Sequence, residues 1–276
     1  MISYKNKTSL LAKIMEIEID LTKSLEKNAE DYYNKAKKIK SKIEKAKAVL
    51  EKFRKKIEAL EKKKEKEEKR KEQKLKSKRK EEWFEKFRWF YSSEGFLCIG
   101  GRDATTNDIL IKKHLEKGDL VCHTDLPGSP FFIIKAEGRT VGKATKEEAA
   151  IATASYSRAW KLGMSYAKVY IVRHDQIKKE LGLPKGMFMI YGKREYFTPA
   201  LELGVCLLET GLIMGGPISA VEAHSKEYVI IKQGKKKASD IAKEIAKKLK
   251  ITGRADDIIR VLPPGGSQVV RFVKKR

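Results

Sequence analysis

The chain has 276 residues, 41% of them hydrophobic and 36% charged, with a formal net charge of +25. That charged share is well above the roughly 25% of an ordinary globular chain, and a surface so basic selects polyanions as partners: RNA, DNA or an anionic membrane. No apolar run reaches the roughly 18 residues of a spanning helix, and the opening MISYKNKTSLLAKI lacks the long apolar stretch of a signal peptide. The excess charge is spread along the chain: residues 1–90 carry 30 Lys and Arg against 17 Asp and Glu, the remainder 32 against 20. Cys98, Cys122 and Cys206 are far apart in apolar runs, with no C-x-x-C spacing. They read as small core residues of a cytoplasmic protein without cofactor, metal or membrane contact.

Residues 1–22 read as a strand or linker. Then Ala29, Tyr32, Ala36, Ile39, Ile43, Ala46, Leu50, Phe53, Ile57 and Leu60 recur at alternating steps of three and four. This is the a/d seam of a coiled coil, uninterrupted by Pro or Gly and capped by Ser24 or Asn28. Such a stripe needs a partner, either a return arm or a second copy. The following run, 62–82, holds 12 Lys and Arg, 6 Glu and one apolar residue, Leu75. It is expected as a solvated charged helix or as a hairpin tip and return arm touching phosphate. The arm is assigned to 23–88.

At WFEKFRWFYSSEG (83–95) the pattern changes, and Trp83, Phe87 and Phe90 fall on one helical face, expected to pack into a core. GFLCIG, DLVCHTD, FFIIK, AKVYIV, MFMIYG, YVIIKQG and SQVVRFV read as strands; TTNDILIKKHL and SDIAKEIAKKLK read as helices. Thr145-Lys146-Glu147-Glu148 reads as a capping box opening a helix over 146–163. The expected fold is α+β, helices packed on a mixed β-sheet, preceded by the helical arm. The division is a core domain over 89–215 and a C-terminal α/β extension over 216–276.

Three clusters carry chemistry. Gly100-Gly101-Arg102-Asp103, at a strand-to-helix turn with Asn107 beyond it, suggests glycines at φ > 0, an open helix N-terminus and a forked guanidinium for phosphate. The alternative is a tight turn in which Asp103 caps the helix and Arg102 pairs with it. Along the strand at 119–125, Asp119, His123 and Asp125 share a face, which suits a His–Asp hydrogen bond at an RNA contact or, less simply, a metal-dependent phosphoesterase. The Pro127-Gly128-Ser129 turn brings backbone N–H groups toward phosphate. Lys135, Lys193 and Arg194 add charge, the last two beside Tyr196 and Phe197. No G-x-S-x-G, Walker A loop or dinucleotide fingerprint occurs.

The run WFEKFRWFYSSEGFLCIGGRDATTNDILIKKHLEKGDLVCHTDLPGS (83–129), with SYSRAW (155–160) and MFMIYGKREYF (187–197), closely resembles the RNA-binding domain of the NFACT family, in its archaeal and eukaryotic wording. Residues 19–46 resemble the start of that family's coiled-coil arm. Cys122, Thr124 and Pro130 depart from the family's usual residues. The resemblance implies a non-enzymatic binding module of a ribosome quality-control factor, acting on large subunits obstructed by peptidyl-tRNA and supporting carboxyl-terminal tailing. Its implied partners are large-subunit rRNA, tRNA and the ribosome. With Met1 just upstream of the arm, a separately encoded N-terminal NFACT half is expected too. The implied RNA contacts are Gly101, Arg102, Asp103, Asn107, Asp119, His123, Asp125 and Gly128, to which Ser129, Lys135, Lys193 and Arg194 are added from charge and turn position. Two other readings stand beside it: a nuclease using Asp119, His123 and Asp125, and an adaptor or dimer held by the coiled coil.

Overall fold

The computed structural model describes residues 18–76, 81–251 and 253–275, with 62–76 given as helix backbone only. Most of the expected N-terminal strand or linker, and residues 77–80 of the charged run, lie outside the described residues. The chain divides into two units, Met1–Lys66 and Glu67–Arg276.

In the first unit, α1 (Leu25–Lys76) begins a single helix of 52 residues with neither Pro nor Gly. Of the two candidate caps, Ser24 accepts the Lys27 N–H through its hydroxyl at 3.3 Å. Asn28 instead clamps the preceding turn, accepting the Asp20 N–H at 2.9 Å and donating to the Asp20 carbonyl at 3.0 Å. The seam side chains Ile39, Ile43, Leu50, Phe53, Ile57 and Leu60 are exposed. The expected return arm does not form within the described residues, because 62–76 continue the same helix.

The second unit contains two antiparallel sheets. The larger joins β1 (Arg88–Tyr91), β2 (Leu97–Gly100), β3 (Leu120–Thr124), β4 (Phe132–Ile134), β5 (Val169–Arg173) and β8 (Glu195–Phe197) in the order β1-β2-β4-β3-β5-β8. Between β5 and β8 lies a small hairpin, β6 (Ile177–Lys178) with β7 (Met189–Ile190). The second sheet orders β9 (Leu203–Leu207), β10 (Ile213–Gly216), β11 (Glu227–Lys236) and β12 (Ser267–Lys274) as β10-β9-β11-β12. The α+β class holds, and the expected mixed pairing is replaced by antiparallel pairing throughout the described strands. Short hairpin links such as 92–96 allow only that direction.

Two expected helices are corrected. Residues 83–91 form one 3₁₀ turn, Trp83–Lys86, and then strand β1. Phe87 and Phe90 do enter the core, whereas Trp83 stays 42% exposed and stacks on His114 at 4.3 Å. The helix expected over 146–163 is α3 (Lys143–Ser155), followed by the single turn α4 (Arg158–Lys161). Thr145 does not cap it. The Glu94 carboxylate, 51 residues earlier, accepts the Thr145 N–H at 3.0 Å and its hydroxyl. Glu148 is buried and accepts from Ser93 N–H and the Ser219 hydroxyl. Helix α3 presents small buried residues, Ala149, Ala150, Ala152 and Ala154, to the large sheet. All three cysteines are buried and unpaired by disulfide. Four further α-helices are described in the unit: α2 (Ala104–His114), α5 (Ile218–His224) and the pair α6 (Ala238–Lys248) and α7 (Ala255–Val261) of the C-terminal part.

Candidate functional site

The turn after β2 is built by close approach. Neither Gly100 nor Gly101 has a positive φ, so the expected left-handed turn is not what the glycines supply. They supply space: a Cβ on Gly100 would strike the Phe132 ring, and one on Gly101 the Asn107 carboxamide. Asn107 is buried and accepts the Phe131 N–H at 3.2 Å, while the Gly101 N–H donates to the Phe131 carbonyl at 3.1 Å. Helix α2 is thereby locked to the 125–131 loop.

Asp103 is the cap of α2, and its carboxylate accepts the Thr106 N–H at 2.8 Å. That bond, first among several to Thr106, holds its carboxyl below the usual range. The helix N-terminus is thus satisfied by the chain's own carboxylate. Arg102 does not turn to Asp103 but donates to three main-chain carbonyls: Lys86 at 3.0 Å, Phe87 at 2.8 Å and Arg260 at 2.6 Å. The last belongs to the C-terminal turn of α7. Its next two carbonyls are also taken, Val261 by the Tyr156 hydroxyl at 2.8 Å and Leu262 by Arg88 at 2.8 Å. Helix ends leave such carbonyls without partners, and two guanidiniums and a phenol supply them here. Burial lowers the pKa of Arg102, brings Arg88 down to about 10 and raises Tyr156 to about 12. SYSRAW is part of the same joint, since Trp160 donates to the Gly266 carbonyl at 3.0 Å.

Asp119, His123 and Asp125 are not brought together. Asp119 is 1% exposed and its carboxylate takes the Lys135 ammonium at 2.6 Å, the Glu116 N–H and the Ala136 N–H. Asp119 and Lys135, both expected as RNA contacts, are therefore a buried pair that fixes the entry to β3. His123 bonds the Pro130 carbonyl through Nδ1 at 3.0 Å and stacks on Phe131 at 3.9 Å. A carbonyl only accepts, so Nδ1 carries the proton and Nε2 keeps its lone pair. Burial holds its pKa below the ordinary value. Asp125 is exposed and lies 3.4 Å from Arg194. Among the described residues no group of three or more His, Cys, Asp or Glu is placed to hold a metal. The phosphoesterase reading loses its geometric basis.

The other expected residues do converge. Gly101, Arg102, Asp103, Asn107, His123, Asp125, Gly128, Ser129 and Arg194 line one cleft of about 660 Å³. Gly128 has φ +79 and makes the turn that the loop needs. Lys193 is exposed just outside, beside Gly192. The opposite wall, unmarked in the sequence reading, is Lys185–Ile190 with Tyr156 and Tyr170. Lys179 anchors that wall by donating to the Pro184 and Met187 carbonyls, and Gly186 packs on Ala104. The Gly-Leu-Pro-Lys-Gly stretch, 182–186, is a turn signal from which a loop there could have been read.

Aromatic rings run from this cleft across the sheet. His123, Tyr170 and Tyr196 are partners in register on β3, β5 and β8. Their rings meet edge to face at 6.1 and 6.0 Å. Phe131 continues the row to Phe188 at 5.6 Å. Cations lie over these rings: Lys179 on Phe188, Arg194 on Tyr170 at 4.5 Å, and Lys168 on Tyr196 at 4.3 Å. The row ends at Tyr196, 49% exposed on the edge strand.

Fold and cleft together define an α+β module with a cationic rim at Lys185 and Arg194 and a row of rings whose ends, Phe188 and Tyr196, are partly exposed. Residues 86–192 match the family model described as "NFACT protein RNA binding domain", so over this segment the chain carries an RNA-binding domain of the NFACT type. It is 41% identical over 204 residues to the archaeal Rqc2 homolog aRqcH of Methanocaldococcus jannaschii, covering 70% of this chain and 30% of that protein. It is 39% identical over 136 residues to the ribosome quality control complex subunit NEMF of Homo sapiens, covering 47% of this chain and 12% of that protein. The chain thus spans less than a third of the length of these relatives. The solved C-terminal part of the fibronectin/fibrinogen-binding protein of Streptococcus suis aligns at TM-score 0.39 and 19% identity, over 45% of this chain and 47% of that one. Among the described residues no helix is long and apolar enough to cross a membrane.

Proposed function

We propose that this chain is an RNA-binding module of a ribosome quality-control factor, working in the cytosol by binding rather than catalysis. Its RNA is that of the large ribosomal subunit, tRNA or both, on stalled nascent-chain complexes whose carboxyl-terminal tailing it supports. The observation that carries this reading is the pair of partly exposed rings at the ends of the row, Phe188 under Lys179 and Tyr196 under Lys168, with Arg194 over the buried Tyr170. Rings give bases a stacking face and cations give phosphates a counter-charge, the pairing that single-stranded RNA needs. The family match and the relatives named for ribosome quality control support the setting.

Within the site, Arg194, Lys193, His123, Asp125 and the Gly128-Ser129 turn are the proposed contacts, while Gly101, Arg102, Asp103 and Asn107 shape the cleft. The exposed seam from Ile39 to Leu60 is the proposed surface for a further helix, from a second copy or from a separately encoded N-terminal NFACT half. Crosslinking in cells followed by sequencing of the attached RNA tests the reading. Recovery of large-subunit rRNA and tRNA is expected; recovery of neither overturns it.

A further inference from the structure

The cleft is shaped for a smaller object than a duplex groove. Its volume of about 660 Å³ lies within the usual range for small-molecule sites. Its lining is mixed: Phe188, Met187 and Met189 give it an apolar stretch, and its rim carries Lys185 and Arg194. In one wall Ser129 is 6% exposed, and its buried hydroxyl has no hydrogen-bond partner. An orphaned buried hydroxyl is costly and uncommon in a folded chain. Nearby, the Pro130 carbonyl fixes the His123 tautomer, leaving Nε2 as the acceptor of this cleft-lining residue. A cleft with an apolar stretch, one unsatisfied hydroxyl, one acceptor nitrogen and cations at the mouth matches a flat heterocycle attached to a phosphate.

We propose that the cleft receives one unpaired nucleotide of a bound RNA, its base against the wall made by Phe188, Met187 and Met189 and its phosphate toward Arg194 and Lys185. The inference rests on the RNA-binding reading above, but is narrower. RNA held only by surface charge engages duplex and single strand alike, whereas an inserted base requires a nucleotide free of its own stack. The Ser129 hydroxyl then gains its partner when the base enters.

The test uses the whole chain labelled at its methionine methyl groups. Each of the four nucleoside 5′-monophosphates is titrated, then a short single-stranded oligoribonucleotide, then the same sequence annealed as a blunt duplex. Shifts of the Met187 and Met189 methyls are expected with at least one monophosphate and with the single strand, and not with the duplex. Ser129→Ala is expected to weaken the single strand about fivefold while leaving the melting temperature equal or higher, because it removes an unsatisfied group. A single strand that binds while leaving both methyls unmoved overturns the inserted-nucleotide proposal and leaves RNA binding standing. Failure of single strand and duplex alike to bind at low salt removes both. Unchanged affinity in Ser129→Ala together with silent methyls assigns the orphan hydroxyl to the fold alone.

Discussion

The Arg102 guanidinium and the Arg260 carbonyl meet at 2.6 Å across 158 residues of sequence. One side chain of the Gly-Gly-Arg-Asp turn thereby fastens the C-terminal helix α7 to the 3₁₀ turn and β1, through the Lys86 and Phe87 carbonyls. Arg102→Ala is therefore expected to lower stability by on the order of 3 kcal/mol, since three carbonyls lose a charged donor. Arg102→Lys recovers little, because one ammonium does not span the three positions of the fork. Urea unfolding midpoints measure this. A midpoint equal to wild type in Arg102→Ala shows that the latch bears no weight.

The aromatic row makes a prediction of the opposite kind. Tyr196 is half exposed, so Tyr196→Ala is expected to leave stability nearly unchanged while weakening single-stranded RNA by about 1–3 kcal/mol. Arg194→Ala is expected to weaken binding and to reduce the slope of log affinity against log salt by about one. Fluorescence anisotropy over a salt series reads both. Full affinity in the double variant places the RNA elsewhere.

Asp119 and Lys135 belong to the fold, and Asp119→Asn is expected to cost about 1–2 kcal/mol, because the Lys135 ammonium loses its buried carboxylate but keeps Glu116 and the His114 carbonyl, both at 2.9 Å. RNA affinity of the fraction that remains folded is expected to equal wild type. Calorimetric melting combined with anisotropy separates the two effects. A stable Asp119→Asn variant that has lost RNA binding returns Asp119 to the interface.

Acid sensitivity follows from His123. Burial holds its imidazole below the ordinary 6.5, and burial displaces His114 in the same direction. The unfolded chain then takes up more protons than the folded one as pH falls below 6.5. The contribution is complete above 6.5 and declines as pH falls toward the folded values. Glu94 and Asp103, whose hydrogen bonds to Thr145 and Thr106 lower them, act only below their ordinary 4.5 and 3.8, so the windows are distinct. His123→Phe keeps the stack on Phe131 and is expected to flatten the loss of stability between pH 6.5 and about 5.5. Unfolding midpoints across that range with the same slope as wild type would exclude His123 as the cause.

Strands β2, β3, β4, β5, β7, β11 and β12 were legible because their Val, Ile, Phe and Tyr runs announce themselves locally, whereas the short β6 and β8 and the glycine-containing β9 and β10 were not read as strands. Nor was the 83–91 segment. Its aromatics satisfy a helical spacing as well as a strand, and pairing of Arg88–Tyr91 with Leu97–Gly100 decides for the strand. The start of α3 was misplaced for a related reason: its cap, Glu94, comes from the β1–β2 turn rather than from the residues before the helix. In the site, the sequence marked the turn at 101–107 and the basic end at 193–194, but not the wall at 185–190, which becomes a wall only when Gly186 packs against Ala104.

What the sequence determined by itself is the chemistry available: a +25 chain, a long apolar seam without breakers, antiparallel-compatible strands with short links, and arginines and rings near the turns. The tertiary structure decided which of those groups stay at the cleft and which are spent within the fold. Arg102 and Arg194 are the same side chain in composition, yet one is spent on carbonyls and the other lies over Tyr170 at the cleft. The physical reason is that a helix end leaves carbonyls bare, and a guanidinium goes to the nearest such set. Only the folded chain brings the α7 carbonyls to Arg102 and leaves Arg194 beside open solvent.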